Sequence, residues 1–115
     1  MLTREKIEDV ADVLDYKVNF NTQPGYDGKP EHYVEFEGWS PAGENILWTE
    51  FYDTLDQIPD KLTERYADFD SEEHAVGWYH SGNGEPSSLR ELLDDAHAQE
   101  DMLAELIRFL RDAAA

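Results

Sequence analysis

The sequence has 115 residues, 27 Asp and Glu against nine Lys and Arg, a net charge of −18 and no Cys. The length suits a single domain over residues 1–115 with an ordinary core, and three Trp, six Tyr and five Phe argue against intrinsic disorder. The charge excludes a basic footprint for direct DNA or RNA binding and repels anionic membranes, while the lack of thiols excludes a disulfide framework and fits a reducing compartment.

Residues 3–14 read as a helix. Ile7, Val10, Ala11 and Leu14 share one face, Glu5, Glu8, Asp9 and Asp12 the other, and Thr3 is the expected N-cap. The opening Met1-Leu2-Thr3-Arg4-Glu5-Lys6 has no apolar signal core, and no uncharged apolar run approaches the ~20 residues that span a bilayer. The cytoplasm is therefore the expected compartment. The period then changes from helical to alternating. Tyr16, Val18 and Phe20 alternate with Lys17, Asn19 and Asn21, which predicts a half-buried strand. A turn-rich stretch, Gln23-Pro24-Gly25-Tyr26-Asp27-Gly28-Lys29-Pro30, leads into a second strand with Val34 and Phe36 inward and Tyr33, Glu35 and Glu37 outward.

Ser40-Pro41-Ala42-Gly43 turns into a third strand over about 46–52. Apolar residues lie on both of its faces, so it is expected to be the central or best-covered strand. All that follows reads as helical. Pro59 suits a first turn, and Ile58, Leu62, Tyr66 and Phe69 recur at helical spacing. Asp70-Ser71-Glu72-Glu73 has the form of a capping box and opens a short helix carrying Ala75, Trp78 and Tyr79. Ser81-Gly82-Asn83-Gly84-Glu85-Pro86 reads as a turn. Ser88-Leu89-Arg90-Glu91 is a second capping box and starts the longest helix, ending near Ala113. The predicted class is α+β: an N-terminal helix, a three-stranded antiparallel meander, then three helices packed on one face.

Catalytic motifs are absent from this sequence. His32, His74, His80 and His97 form no i, i+4 pair, and there is no G-x-S-x-G, phosphate-cradling loop or dinucleotide fingerprint. Paired carboxylates carry little weight in a chain with 27 acids. The densest cluster is Asp68-Phe69-Asp70-Ser71-Glu72-Glu73-His74. A calcium loop starting at Asp68 would want Gly and Glu where Glu73 and Tyr79 stand, so that match fails. The cluster reads as an N-cap with acids complementing a helix dipole, or as a weak divalent-cation site. Trp39, Trp48 and Trp78 lack the cationic groove of a nucleotide platform, and core packing with one interfacial anchor accounts for them. No enzymatic activity, cofactor or metal is expected.

Acidic faces are the stronger signal. On the last helix Leu89, Leu92, Leu93, Ala96, Leu103, Leu106, Ile107 and Leu110 form an apolar stripe. Glu91, Asp94, Asp95, Asp101 and Glu105 are assigned to the opposite face, over about 21 Å of helix. No Lys or Arg occurs in 91–107, nor in 30–60. Like charges at i, i+3 and i+4 each destabilise a helix by a few tenths of a kcal/mol, and a surface built only for solubility intersperses Lys with Glu. A row of carboxylates ~5–6 Å apart resembles the charge spacing of a nucleic-acid strand. Four readings compete for the acidity: solubility, salt adaptation, mimicry of nucleic acid, and neutralisation of a basic partner.

Tyr26-Asp27-Gly28-Lys29-Pro30, Phe51-Tyr52-Asp53-Thr54-Leu55, Phe69-Asp70-Ser71-Glu72-Glu73-His74 and Pro86-Ser87-Ser88-Leu89-Arg90-Glu91-Leu92-Leu93 resemble a family of small acidic hypothetical proteins of phages and conjugative elements of gut bacteria. The resemblance covers most of the chain and carries no catalytic motif. It implies a counter-defence context, such as anti-CRISPR or antirestriction proteins. The repeated acidic motifs of the best-known antirestriction family do not occur here.

The expected function is that of an acidic inhibitor, a nucleic-acid mimic that blocks a basic nucleic-acid-binding defence protein. Its expected contacts are Glu91, Asp94, Asp95, Asp101 and Glu105 on the last helix, with Asp68, Asp70, Glu72 and Glu73. The alternatives are an immunity-type or regulatory protein that neutralises a basic partner, and a divalent-metal hydrolase using 68–74.

Overall fold

The computed structural model describes residues 1–81 and 88–115; the predicted turn at Gly82-Asn83-Gly84-Glu85-Pro86 lies outside the described residues. Thr3 is extended and its Oγ1 accepts the Lys6 amide, so helix α1 (Arg4–Val13) starts at the predicted cap. Ile7, Val10 and Ala11 are its buried face. The helix stops through Asp15, a non-glycine residue at φ 64°. There the Asp15 amide bonds the Asp12 carbonyl and the Tyr16 amide bonds the Ala11 carbonyl, a Schellman closure. That closure turns Tyr16 into the core just before strand β1 (Lys17–Pro24).

Strands β2 (Pro30–Trp39) and β3 (Asn45–Tyr52) complete an antiparallel sheet in the order β1-β2-β3. Val18 pairs with Phe36 and Phe20 with Val34; Phe36 in turn pairs with Trp48. The even-numbered residues Val34, Phe36, Ile46 and Trp48 point into the core. Gly38 lies on the same side, and a Cβ there would come within 2.7 Å of the Tyr16 ring. Its lack of a side chain lets Tyr16 lie against β2 and pack on Trp48 at 5.6 Å between ring centroids.

The strand order corrects one expectation. The central strand is β2, and β3 is an edge strand. Its apolar residues on two faces arise because Ile46 and Trp48 are buried while Leu47 and Phe51 face solvent. An alternating count cannot separate that case from a strand covered on both sides.

After β3, a 3₁₀ turn (Leu55–Gln57) is held by Gln57 Oε1, which accepts the Asp53 and Thr54 amides. Helix α2 (Ile58–Asp68) follows with Pro59 in its first turn and buries Ile58, Pro59 and Leu62. Helix α3 (Ser71–Ser81) opens on Asp70, whose Oδ1 accepts the Glu73 amide at 3.1 Å. Helix α4 (Leu89–Ala114) opens on Ser88, whose Oγ accepts the Glu91 amide at 3.2 Å. At ~1.5 Å per residue α4 runs ~39 Å. Leu103, Leu106 and Leu110 belong to the main core against α1, α2 and the sheet. Leu92 and Ala96 form a second cluster with Ala75 of α3. Helices α1, α2 and α4 share a core with one face of the sheet, α3 packs on α4, and the other face of the sheet is left open. No described helix is long and apolar enough to cross a membrane.

Candidate functional site

The last helix divides its five predicted acids three ways. Asp94, Asp101 and Glu105 are exposed and lie within one arc of the helix, opposite the arc that holds Leu92, Ala96, Leu103, Leu106 and Leu110. They rise along the axis in steps of ~10 Å and ~6 Å. His97 stands between the first two, with Nδ1 3.4 Å from Glu100. Glu91 is exposed, but its carboxylate accepts the Ser88 hydroxyl as part of the cap.

Asp95 corrects the sequence expectation, because it is 5 % exposed. Its Oδ1 accepts the Ala42 amide at 2.8 Å and its Oδ2 accepts Gln99 Nε2 at 3.1 Å. Both carboxylate oxygens are thus satisfied inside the protein, and α4 is tied to the turn between β2 and β3. The physical reason is angular. At ~100° per residue Asp95 falls beside Gln99 and Leu106, on the flank of the buried arc rather than opposite it. A polar residue at i+4 on that flank was the available signal.

Asp68, Asp70 and Glu73 line an open cleft of about 610 Å³ with Glu44, Phe69, His74, Gly77 and Trp78; Glu72 is exposed outside it. No residue of α4 lines this cleft, so the two predicted groups of acids form separate surfaces. His74 Nε2 lies 2.7 and 2.9 Å from the Glu44 carboxylate oxygens, and its ring lies 5.3 Å from that of Phe69. The pair spans 30 positions in sequence and was not visible there. Asp70 acts as the cap of α3. Among the described residues, no three His, Asp or Glu side chains are grouped so that they could hold a metal ion.

The bases are mostly engaged within the fold. Arg65 pairs with Glu50 and donates Nη2 to the Thr49 carbonyl, and Arg111 reaches Asp60 and Thr63. Lys6 donates to the Met1 carbonyl, while Arg4 and Arg108 stack over Phe20 and Phe109. Among the described residues no Lys or Arg ion pair reaches Asp94, Asp101, Glu105, Asp68, Asp70, Glu72 or Glu73. Of these, Asp70 is engaged as the cap of α3, and the others carry no Lys or Arg partner among the described residues.

No family model matches the chain, and no curated protein or solved structure matches it significantly.

Proposed function

We propose that this chain is an acidic inhibitor that occupies the basic groove of a nucleic-acid-binding defence protein in the cytoplasm, in the manner of anti-CRISPR or antirestriction proteins. The supporting observation is the column Asp94, Asp101 and Glu105. It is solvent-facing, free of Lys and Arg partners, and carried by a helix anchored along its whole opposite side. A rigid carrier holds the charges at fixed separations, so binding loses little conformational freedom. The field of a chain at −18 steers it towards basic surfaces and away from nucleic acid itself.

Charge reversal tests the site. Tagged wild-type chain is expected to retain a nucleic-acid-binding protein from host lysate. The triple Asp94→Lys, Asp101→Lys, Glu105→Lys is expected to bind that protein at least about tenfold more weakly, a loss of ~1.4 kcal/mol or more. The triple Glu5→Lys, Glu8→Lys, Asp12→Lys changes net charge equally and should bind almost as the wild type does. Equal losses would mean that net charge alone drives association. Unfolding of the wild type below molar salt would favour salt adaptation.

A further inference from the structure

The open face of the sheet carries features that solubility does not require. Trp39 is 66 % exposed, Leu47 50 % and Phe51 46 %, and all three project from this one face. Tyr33 joins them, with its ring 5.3 Å from that of Phe51. By the strand register these groups form two clusters, Trp39 with Leu47 at one end and Tyr33 with Phe51 at the other, separated by Glu35 and Thr49. Exposed aromatic groups of this kind dominate interface energetics. Beside it on β2 run Glu31, Glu35 and Glu37. Each carboxylate is braced by a cross-strand amide: Gln23 at 3.4 Å, Asn21 at 3.0 Å and Asn45 at 3.4 Å respectively. Among the described residues of the three strands, Lys17, at the corner of β1, is the one base on this face.

We propose that this face is a second docking surface, and that its occupant is a protein surface combining Lys or Arg with apolar groups. The bases would oppose the braced Glu row, and the apolar groups would cover Trp39, Leu47 and Phe51. A second copy of the chain is disfavoured, because it would set one Glu row near another in molecules each at −18. Nucleic acid and anionic lipid are repelled by the same row. The proposal rests on the basic-partner reading and extends it. The solvent column of α4 lies opposite that helix's buried arc and shares no residue with the open sheet face, so the two acidic surfaces can meet different parts of one partner. The backbone extends 22 Å along the molecule's shortest axis.

The test is a heteronuclear NMR titration of the full chain with two probes. One is a ten-residue peptide alternating Arg with Leu and Trp; the other is oligolysine of equal charge. The alternating peptide is expected to give saturable shifts at the Trp39 indole and the amides of β2 and β3. Oligolysine is expected to leave the Trp39 indole in place. Trp39→Ala with Phe51→Ala should weaken the alternating peptide about thirtyfold, the size of an interface hot spot. Both side chains are exposed, so circular dichroism should show the variant folded; Leu47→Ser serves as a second variant if it is not. Shifts confined to α4 would overturn the sheet proposal while leaving the basic-partner reading standing. No saturable binding of either probe would overturn both. Sheet-face shifts on raising the protein concentration alone would assign the face to a second copy and overturn the proposal.

Discussion

Tyr16 shows how one side chain registers the packing around it. Burial raises its hydroxyl pKa well above the ordinary 10.0, and the Glu105 carboxylate pushes in the same direction. Above about pH 10 the unfolded chain therefore releases this proton while the folded chain keeps it, and the folded state binds more protons. The stabilising contribution is complete below that pH and is lost as pH rises towards the folded value. Tyr16→Phe cannot titrate. Its urea midpoint is expected to fall less steeply than that of the wild type between about pH 9 and about pH 11. Parallel slopes for the two proteins would show that Tyr16 does not keep its proton in the fold. The side chain is reached through local signals, because Tyr16 opens the alternating run. Its contact with Gly38 depends on how β2 pairs and could not be read from spacing.

The elements follow the sequence wherever the deciding interactions are local. Thr3, Asp70 and Ser88 cap α1, α3 and α4 within three residues of themselves, so those starts were legible. Strand order was not. The place of β3 at the edge depends on which neighbour pairs with β2, and its own alternation carries no such information. The acidic face of α4 was legible for Asp94, Asp101 and Glu105, because their positions follow from the helical repeat. Asp95 was misplaced, since its partner Ala42 is 53 positions away in a turn. It acts as a tie between α4 and the sheet. Asp95→Ala leaves the part-buried Ala42 amide without its acceptor and is expected to lower unfolding free energy by about 1–3 kcal/mol. Asp95→Asn, which keeps an acceptor oxygen, should recover most of that loss. Urea denaturation at neutral pH measures both, and an unaffected alanine variant would show that the tie is not structural.

At the scale of the whole molecule, charge and shape act together. Charge at −18 produces long-range attraction to basic surfaces, but exposed charges are screened beyond ~10 Å at 0.1 M salt. Net charge alone therefore confers neither a site nor selectivity. On the proposed reading those come from fixed arrays: the α4 column, and the braced Glu row with its exposed aromatic groups. The candidate site was less legible than the fold because charge counts do not reveal which carboxylates are partnered internally. Asp95, Glu91 and Asp70 are engaged within the fold; Asp94, Asp101 and Glu105 face outward.

Mimicry makes one demand that simple charge neutralisation does not. The inhibitor and the nucleic acid must exclude each other from the same groove. The most direct measurement follows the anisotropy of a fluorescent nucleic acid bound to the captured partner while this chain is titrated in at physiological salt. Mimicry predicts complete displacement, with a midpoint that rises with the nucleic-acid concentration. A ternary complex, in which anisotropy stays high while both ligands remain bound, would contradict it.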